Sequence, residues 1–288
     1  MSETDLRTVG DHLAQARRDL SPHSETPSLD SQLLMMKTLG VTRAWVLAHP
    51  EANLTSVQSD AFEHDLSRVV SGTALPYVIG SWEFFGRPFV LTPDVLIPRP
   101  ETEILVTAAL RWLSERPQGQ RVVDVGCGSG CIAISLALDM PGHMIFGVDL
   151  SPTALAVARR NAHAYHIEDE LTLVEGDLLA PFDGRFDLVC ANLPYIPTDR
   201  LAELEIAKRE PSLALDGGPD GLAGIQRLAL QLASRLAPGG RVLLELDPEQ
   251  MDRASALMRA ALPGGATSVL ADLSGRDRVL VVDWDDSR

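Results

Sequence analysis

The sequence predicts an α/β fold: a parallel sheet of about seven strands with helices on both faces, preceded by a small helical domain and a linking β-hairpin. Three observations carry this. Strand-like and helix-like runs alternate from Arg121 onward, as crossover connections between parallel strands require. The first of those strands runs into a glycine-rich turn, Gly126-Cys127-Gly128-Ser129-Gly130, of the kind that opens a ligand crevice in an open sheet. Before residue 70 the apolar residues recur at three and four spacings, as in Leu29, Leu33, Leu34 and Met36.

At 288 residues the chain has room for a catalytic domain and a smaller companion. We divide it into a helical domain, residues 1–74, a hairpin linker, 75–95, and an α/β domain, 96–288. In the first part, short helices from Asp5 to about Val70 break at Ser21-Pro22, Gly40 and His49-Pro50. Ser28 is the expected cap of the helix containing Leu29, and Ser71-Gly72 closes the group. Two β-prone runs, 77–80 and 84–91, then make the hairpin. Pro98 and Pro100 hold an extended segment, after which 101–113 returns to helical spacing.

In the α/β part, strands are expected at 122–125, 144–148, 171–174, 188–191, 241–246 and 278–282. Helices are expected at 132–138, 152–164, 223–236 and 248–261, with a turn at Ala237-Pro238-Gly239-Gly240.

Composition is that of an ordinary globular protein, 45% hydrophobic and 23% charged. A net charge of -15 argues against a protein whose main task is to neutralise phosphates, since that binding needs clustered Lys and Arg. No run approaches the roughly 18 consecutive apolar residues of a membrane span, and the N-terminus lacks a signal-peptide pattern. The expected location is therefore cytoplasmic. Cys127, Cys131 and Cys190 are too few for a disulfide framework, and no His cluster accompanies the Cys127/Cys131 pair. They read as reduced structural residues, with no metal site.

Glycines after a strand let a ligand lie against backbone that a side chain would block. Alone, such a turn also suits a dinucleotide enzyme. Asp149 ends the second strand about 20 positions on, where a carboxylate can accept from both ribose hydroxyls. It could equally cap the helix that begins at Ser151-Pro152. Asp177 follows the third strand and could accept from an adenine amino group, or be an ordinary loop aspartate. The spacing of Asp124, Gly126, Gly128, Gly130, Asp149 and Asp177 resembles class I S-adenosylmethionine methyltransferases more than the NAD fingerprint, whose third glycine falls one residue later.

After the fourth strand comes Asn192-Leu193-Pro194-Tyr195, at the sheet edge where open α/β folds bind ligands. The Asn192 side-chain oxygen and the Leu193 carbonyl can each accept a hydrogen bond from a planar NH2, orienting a weakly nucleophilic amide nitrogen. Pro194 stiffens the turn, and Tyr195 offers a wall for a flat acceptor. This chemistry would use proximity and electrostatic stabilisation, without a metal or a covalent enzyme intermediate. A plain strand end with a proline turn is the alternative.

The chain resembles the HemK/PrmC family, protein-(glutamine-N5) methyltransferases that act on peptide chain release factors. The resemblance spans nearly the whole sequence. It rests on Pro76-Tyr77 through Phe84-Phe85-Gly86, Leu96-Ile97-Pro98-Arg99-Pro100-Glu101-Thr102-Glu103, the 124–130 loop, Asn192-Leu193-Pro194-Tyr195, Glu210-Pro211 with Ala214-Leu215-Asp216-Gly217-Gly218 and Asp220-Gly221-Leu222, and Asp272-Leu273-Ser274-Gly275-Arg276-Asp277-Arg278.

The resemblance implies that the loop with Cys127 and Ser129, Asp149, the Asp177-Leu178 region and Asn192 line S-adenosylmethionine. It implies that the Asn192 turn holds the glutamine of a Gly-Gly-Gln motif and that the helical domain grips the release factor. Arg99 and Glu101 are further candidates near the acceptor, or else a domain-bridging ion pair. Two positions depart from the family pattern: Leu193 stands where a first proline is usual, and Asp247 follows Glu245-Leu246 where a glycine is usual. A nucleic-acid amino methyltransferase and a catalytically idle cofactor-binding scaffold are the rival readings. The absence of long coiled-coil heptads favours a monomer.

Overall fold

A computed structural model describes residues 7–285. The predicted helical start at Asp5 and the last residues, 286–288, lie outside them. The chain divides into two compact units, Met1–Ser81 and Trp82–Arg288.

The first unit contains α1 (Val9–Leu20), α2 (Pro27–Leu39), α3 (Arg43–Ala48), α4 (Ser56–Val70) and α5 (Leu75–Ile79). Thr8 and Thr55 close capping boxes with Asp11 and Gln58, so two helix starts satisfy their own orphan amides. Helix α2 starts before the expected Ser28, with Pro27 in its first turn and Gly40 in the left-handed conformation at its end. Val9, Leu20, Leu34, Met35, Val46, Phe62 and Val78 fill one core. Lys37 crosses its edge, donating to Asp65 Oδ2 at 2.5 Å and to the Val78 carbonyl at 2.7 Å.

The run 77–80, expected as a strand, belongs to α5. Pro76 presets the helical φ in the first turn and Gly80, at φ +85°, takes the left-handed cap. Tyr77 and Val78 are both buried, and Val78 joins the core of the helical unit. The hairpin therefore falls one element later, as β1 (Ser81–Phe84) and β2 (Arg87–Val90). Phe85 (φ +52°) and Gly86 (φ +71°) form its turn, the positive pair that matches strand twist. Glu103 Oε1 accepts from the Phe85 amide at 2.8 Å and ties the turn to the next helix.

The second unit continues with α6 (Thr102–Ser114), β3 (Arg121–Val125), α7 (Cys131–Asp139), β4 (Met144–Asp149), α8 (Pro152–Ala164), β5 (Leu171–Glu175), β6 (Phe186–Ala191), α9 (Thr198–Leu201), α10 (Ala223–Arg235), β7 (Leu236–Glu245), α11 (Met251–Ala261), β8 (Ala266–Ala271) and β9 (Asp277–Trp284). Seven strands form one sheet in the order β5-β4-β3-β6-β7-β9-β8. Strands β3 to β7 pair in parallel, whereas β9 runs antiparallel to both β7 and β8. The expected parallel sheet of about seven strands is thus present, with antiparallel pairing confined to the β9 and β8 edge.

Strand β8 had no sequence prediction because it is an edge strand whose residues remain largely exposed, so no apolar alternation marks it. The expected turn at 237–240 is a bulge within β7: Leu236 pairs with Phe186, and the next partners are Arg241 and Leu188. Two cores, one on each face of the sheet, bury residues such as Phe186, Val189 and Leu244 on one side and Leu105, Ile134 and Leu243 on the other.

Strand order reverses at β3, whose neighbours are β4 and β6. The crevice beyond their carboxyl ends is where open α/β sheets bind ligands. Asn161 on α8 braces it: its Oδ1 accepts from Val90 N at 2.7 Å, and its Nδ2 donates to Val90 O at 3.1 Å and Ser129 O at 2.9 Å. It is 1% exposed, so Asn161→Ala would strand three backbone groups away from water. We expect the variant to lose about 3 kcal/mol or more of stability by chemical denaturation; a loss below about 1 kcal/mol would contradict this brace.

Candidate active site

The glycine loop leaves β3 at Val125 and opens α7. Gly126, Gly128 and Gly130 have φ of +73°, +54° and +81°, a conformation that L side chains rarely adopt. Space is tight as well: a Cβ on Gly126 would lie 3.0 Å from Leu193 Cδ2, and one on Gly130 would lie 3.0 Å from Ile134 Cδ1. The amides of Gly126 and Cys127 both donate to the Val148 carbonyl, at 2.8 and 3.0 Å, fastening the loop to the end of β4.

Asp124 sits beneath this loop and does not line the crevice, contrary to expectation. It is fully buried, and its Oδ2 accepts from Ala133 N at 3.1 Å, in the first turn of α7. Gly130 occupies the N-cap position there and has no side chain to cap with, so the strand supplies the acceptor instead. Burial, with Asp149 adding repulsion, pushes the Asp124 carboxyl up to about 7. Gly130 is likewise absent from the crevice wall.

Asp149 does line it. Its Oδ2 accepts from Gly128 N at 2.8 Å and its Oδ1 from Ser151 N at 2.9 Å. Helix α8 is capped by Ser151 Oγ, which accepts from Ala154 N, so Asp149 is not the helix cap. Burial pushes its carboxyl above the usual range, while the Ser151 and Gly128 amides oppose that. Asp177 and Leu178 border the same space, and Asp177 is ion-paired with Arg227 of α10. Sequence reasoning missed Arg227, which carried no motif.

The resulting cavity, about 240 Å³, brings Gly126, Cys127, Gly128, Ser129, Asp149, Asp177 and Leu178 together with Asn192, Leu193 and Pro194. Asn192 Nδ2 donates to Thr102 Oγ1 at 3.1 Å. Leu193, at 5% exposure, packs against Gly126, where a Cβ would lie 3.0 Å from its Cδ2, and beside Gly224. The departure from proline at this position is thus accommodated by packing. Asp247, the second departure, accepts from Glu249 N at 3.0 Å and starts a short 3-10 turn, Pro248–Gln250.

Tyr195 borders an adjoining depression lined also by Arg200, Asp220, Asp247 and Gln250. Its carbonyl accepts from Gln250 Nε2 at 2.8 Å, and Gly221 makes room for it. Burial and the nearby Glu245 push the Tyr195 phenol up to about 12, so it stays protonated.

Arg99 and Glu101 also lie outside the cavity wall. Arg99 Nη2 donates to Glu210 Oε1 at 2.5 Å, and Ile97 N donates to Glu210 Oε2 at 3.0 Å, so the ion pair is made within the second unit and does not bridge the two. Glu101 occupies the N-cap position of α6. The three cysteines are free and buried, and Cys131 is pushed by burial up to about 12, which leaves it an inert thiol.

The Asp124 carboxyl has a sign that can be tested. Its value in the fold lies above its ordinary 3.8, so its contribution to stability is fully present below that pH and is lost as pH rises toward about 7. Asn at this position cannot ionise. The melting temperature of Asp124→Asn, relative to the parent, should rise between pH 4 and pH 8; a difference independent of pH would contradict the assignment.

Two family models match the chain, the PrmC N-terminal domain over residues 11–80 and the methyltransferase small domain over residues 102–209. The release factor glutamine methyltransferase of Moorella thermoacetica is 39% identical over 274 residues, covering 94% of this chain and 96% of that protein. The enzyme of the same name from Bordetella pertussis is 38% identical, covering 91% and 97%. Among solved structures, a methyltransferase from Pyrococcus furiosus superimposes with a TM-score of 0.54 at 16% identity, over 77% of this chain and 99% of that one, a likeness of fold. With its class I methyltransferase sheet and relatives of this identity along nearly its full length, the chain belongs to the release factor glutamine methyltransferase family.

Proposed function

We propose that this protein transfers a methyl group from S-adenosylmethionine to the side-chain amide nitrogen of the glutamine in the Gly-Gly-Gln motif of peptide chain release factors. The observation that supports it best is that Asn192, Leu193 and Pro194 share one cavity with the glycine loop and Asp149. Residues suited to a planar amide thus adjoin residues suited to a nucleoside.

The cavity fits the cofactor's chemistry. Gly126 and Gly128 expose backbone that a ligand can lie against, and Asp149 retains acceptor lone pairs beyond the two amides it already binds. Leu150, 53% exposed beside Asp149, and Leu178 offer apolar surface for a base. When bound, S-adenosylmethionine supplies an electrophilic methyl group on a positively charged sulfur.

The protein's task is orientation. An amide nitrogen is a weak nucleophile because its lone pair is delocalised into the carbonyl. Acceptance by Asn192 Oδ1 and the Leu193 carbonyl fixes the NH2 plane and favours positive charge developing on that nitrogen. Pro194 restricts the turn that carries both acceptors. The first unit, matched by the PrmC N-terminal model, is the part we assign to gripping the release factor. We place the enzyme in the cytoplasm, acting as a monomer on its protein substrate and not on nucleic acid.

Incubation with labelled cofactor should put label on an intact release factor, and none on its Gly-Gly-Gln Gln→Ala variant, DNA or RNA; label on nucleic acid would overturn the substrate assignment. Asn192→Ala should lower kcat by about a hundredfold or more while changing cofactor affinity only modestly, and an unchanged kcat would remove Asn192 from the reaction. For Asp149→Ala, calorimetry should show cofactor binding weakened about tenfold or more, the loss of a charged hydrogen-bond acceptor. Unaltered affinity would reject the ribose role.

A further inference from the structure

The two acceptors assigned above to the substrate amide sit on a stretch that regular secondary structure does not hold. From Asn192 to Tyr195 the chain is neither strand nor helix; it leaves β6 at Ala191 and pairs again at Ile196, which bridges to Asp216. Pro194 locks one φ of this stretch. The other torsions are soft, so the direction of the Leu193 carbonyl depends on what pins the far end of the turn.

Gln250 pins it. Its Nε2 donates to the Tyr195 carbonyl at 2.8 Å and reaches the Asp220 carbonyl at 3.4 Å, two acceptors that only the NH2 end of a carboxamide can meet. The side chain is 6% exposed, and its Oε1 has no hydrogen-bond partner among the described residues. Burying an amide with one end unpaired costs stability, and what the molecule gains is a hold on the acceptor turn and on the 216–222 loop beside it.

Local structure delivers Gln250 to this place. Asp247 accepts from Glu249 N at 3.0 Å and starts the 3-10 turn Pro248–Gln250, whose last residue stands at the N-cap position of α11. In the first turn of α11, Arg253 is ion-paired with Asp220, so the loop is gripped by a backbone carbonyl and by a carboxylate. Glycine makes the approach possible. A Cβ on Gly221 would run into Gln250 Nε2 and the Tyr195 carbonyl, and one on Gly217 would lie 2.8 Å from the Pro194 carbonyl oxygen. Two successive carbonyls of the turn thus lie against bare backbone of a loop that is tied to Ile196, which donates to Leu215 O at 3.1 Å and accepts from Gly217 N at 2.8 Å.

We propose that Gln250 is a positioning residue: by holding the Tyr195 carbonyl it fixes the turn that presents Asn192 and the Leu193 carbonyl to the substrate amide. This rests on the acceptor site described above. Gln250 lines the depression beside Tyr195 and not the main cavity, so it acts through the turn and not on the substrate.

The test uses the full chain with Gln250→Met, which keeps the length of the side chain but cannot donate, and Gln250→Glu, which at pH 8 sets a carboxylate against the two carbonyls. Labelling with carbonyl-13C tyrosine gives one resonance for each of the three tyrosines, and that of Tyr195 is identified by its loss in Tyr195→Phe. In Gln250→Met it should move upfield, as a carbonyl that loses its donor does, while those of Tyr77 and Tyr165 stay. With a release factor, Gln250→Met should lower kcat by about tenfold or more, with cofactor affinity and KM within about threefold of the parent. Gln250→Glu should lower kcat at least as much, although it differs from glutamine by a single atom, and it carries both readouts where Gln250→Met does not fold. A merely structural role would lower stability and leave kcat of the folded enzyme unchanged. An unmoved Tyr195 resonance, a parental kcat, or a loss confined to KM or to cofactor affinity would each overturn the proposal. A Tyr195 resonance that moves as stated in a parent protein that leaves release factors unmethylated would keep Gln250 as the holder of the turn and reject the acceptor reading.

Discussion

The close approach of Gly126 to Leu193 sets the dimensions of the site. The loop after β3 and the turn after β6 leave adjacent parallel strands, and a methyl group on the loop here would lie 3.0 Å from Leu193 Cδ2. Because the strands are neighbours at the point where sheet order reverses, both segments emerge at the same edge. A larger residue at 126 would also be strained by the positive φ of +73° there. The glycine thus acts through the distance it permits between two backbones.

Around that contact the protein holds carboxyl groups in unfavourable surroundings. Asp124 and Glu245 are both buried, both raised to about 7, and each retains an oxygen without a hydrogen-bond partner. Neither improves the fold as a hydrophobic replacement would. Asp124 instead accepts from the first turn of α7, which carries the glycine loop. Stability is given up where groups must be oriented, a pattern common in functional sites.

Much of this was legible in sequence because it is local. The strand-glycine turn-helix of 122–138, Asp149 at the end of β4 and the Asn192 turn after β6 are each carried by a few consecutive residues, and the structure brings all of them to one edge. The illegible parts come from pairings distant in sequence. Asn161 braces β2 across 71 positions, Glu210 receives Arg99 across 111, and Thr102 meets Asn192 across 90. No periodicity encodes such contacts. The misread hairpin has a different cause: 77–80 is rich in β-prone residues, yet Pro76 and Gly80 fix the ends of a helical turn and the helical core takes Val78.

That a pair of acceptors, Asn192 Oδ1 and the Leu193 carbonyl, receives the substrate amide is the claim on which the mechanism stands. A crystal structure of the protein with the demethylated cofactor and a Gly-Gly-Gln peptide tests it most directly. The account predicts the glutamine side-chain nitrogen at about 3 Å from both oxygens, within hydrogen-bond distance. A glutamine whose carbonyl oxygen faces Asn192, or whose nitrogen lies beyond hydrogen-bond distance of both oxygens, would contradict it.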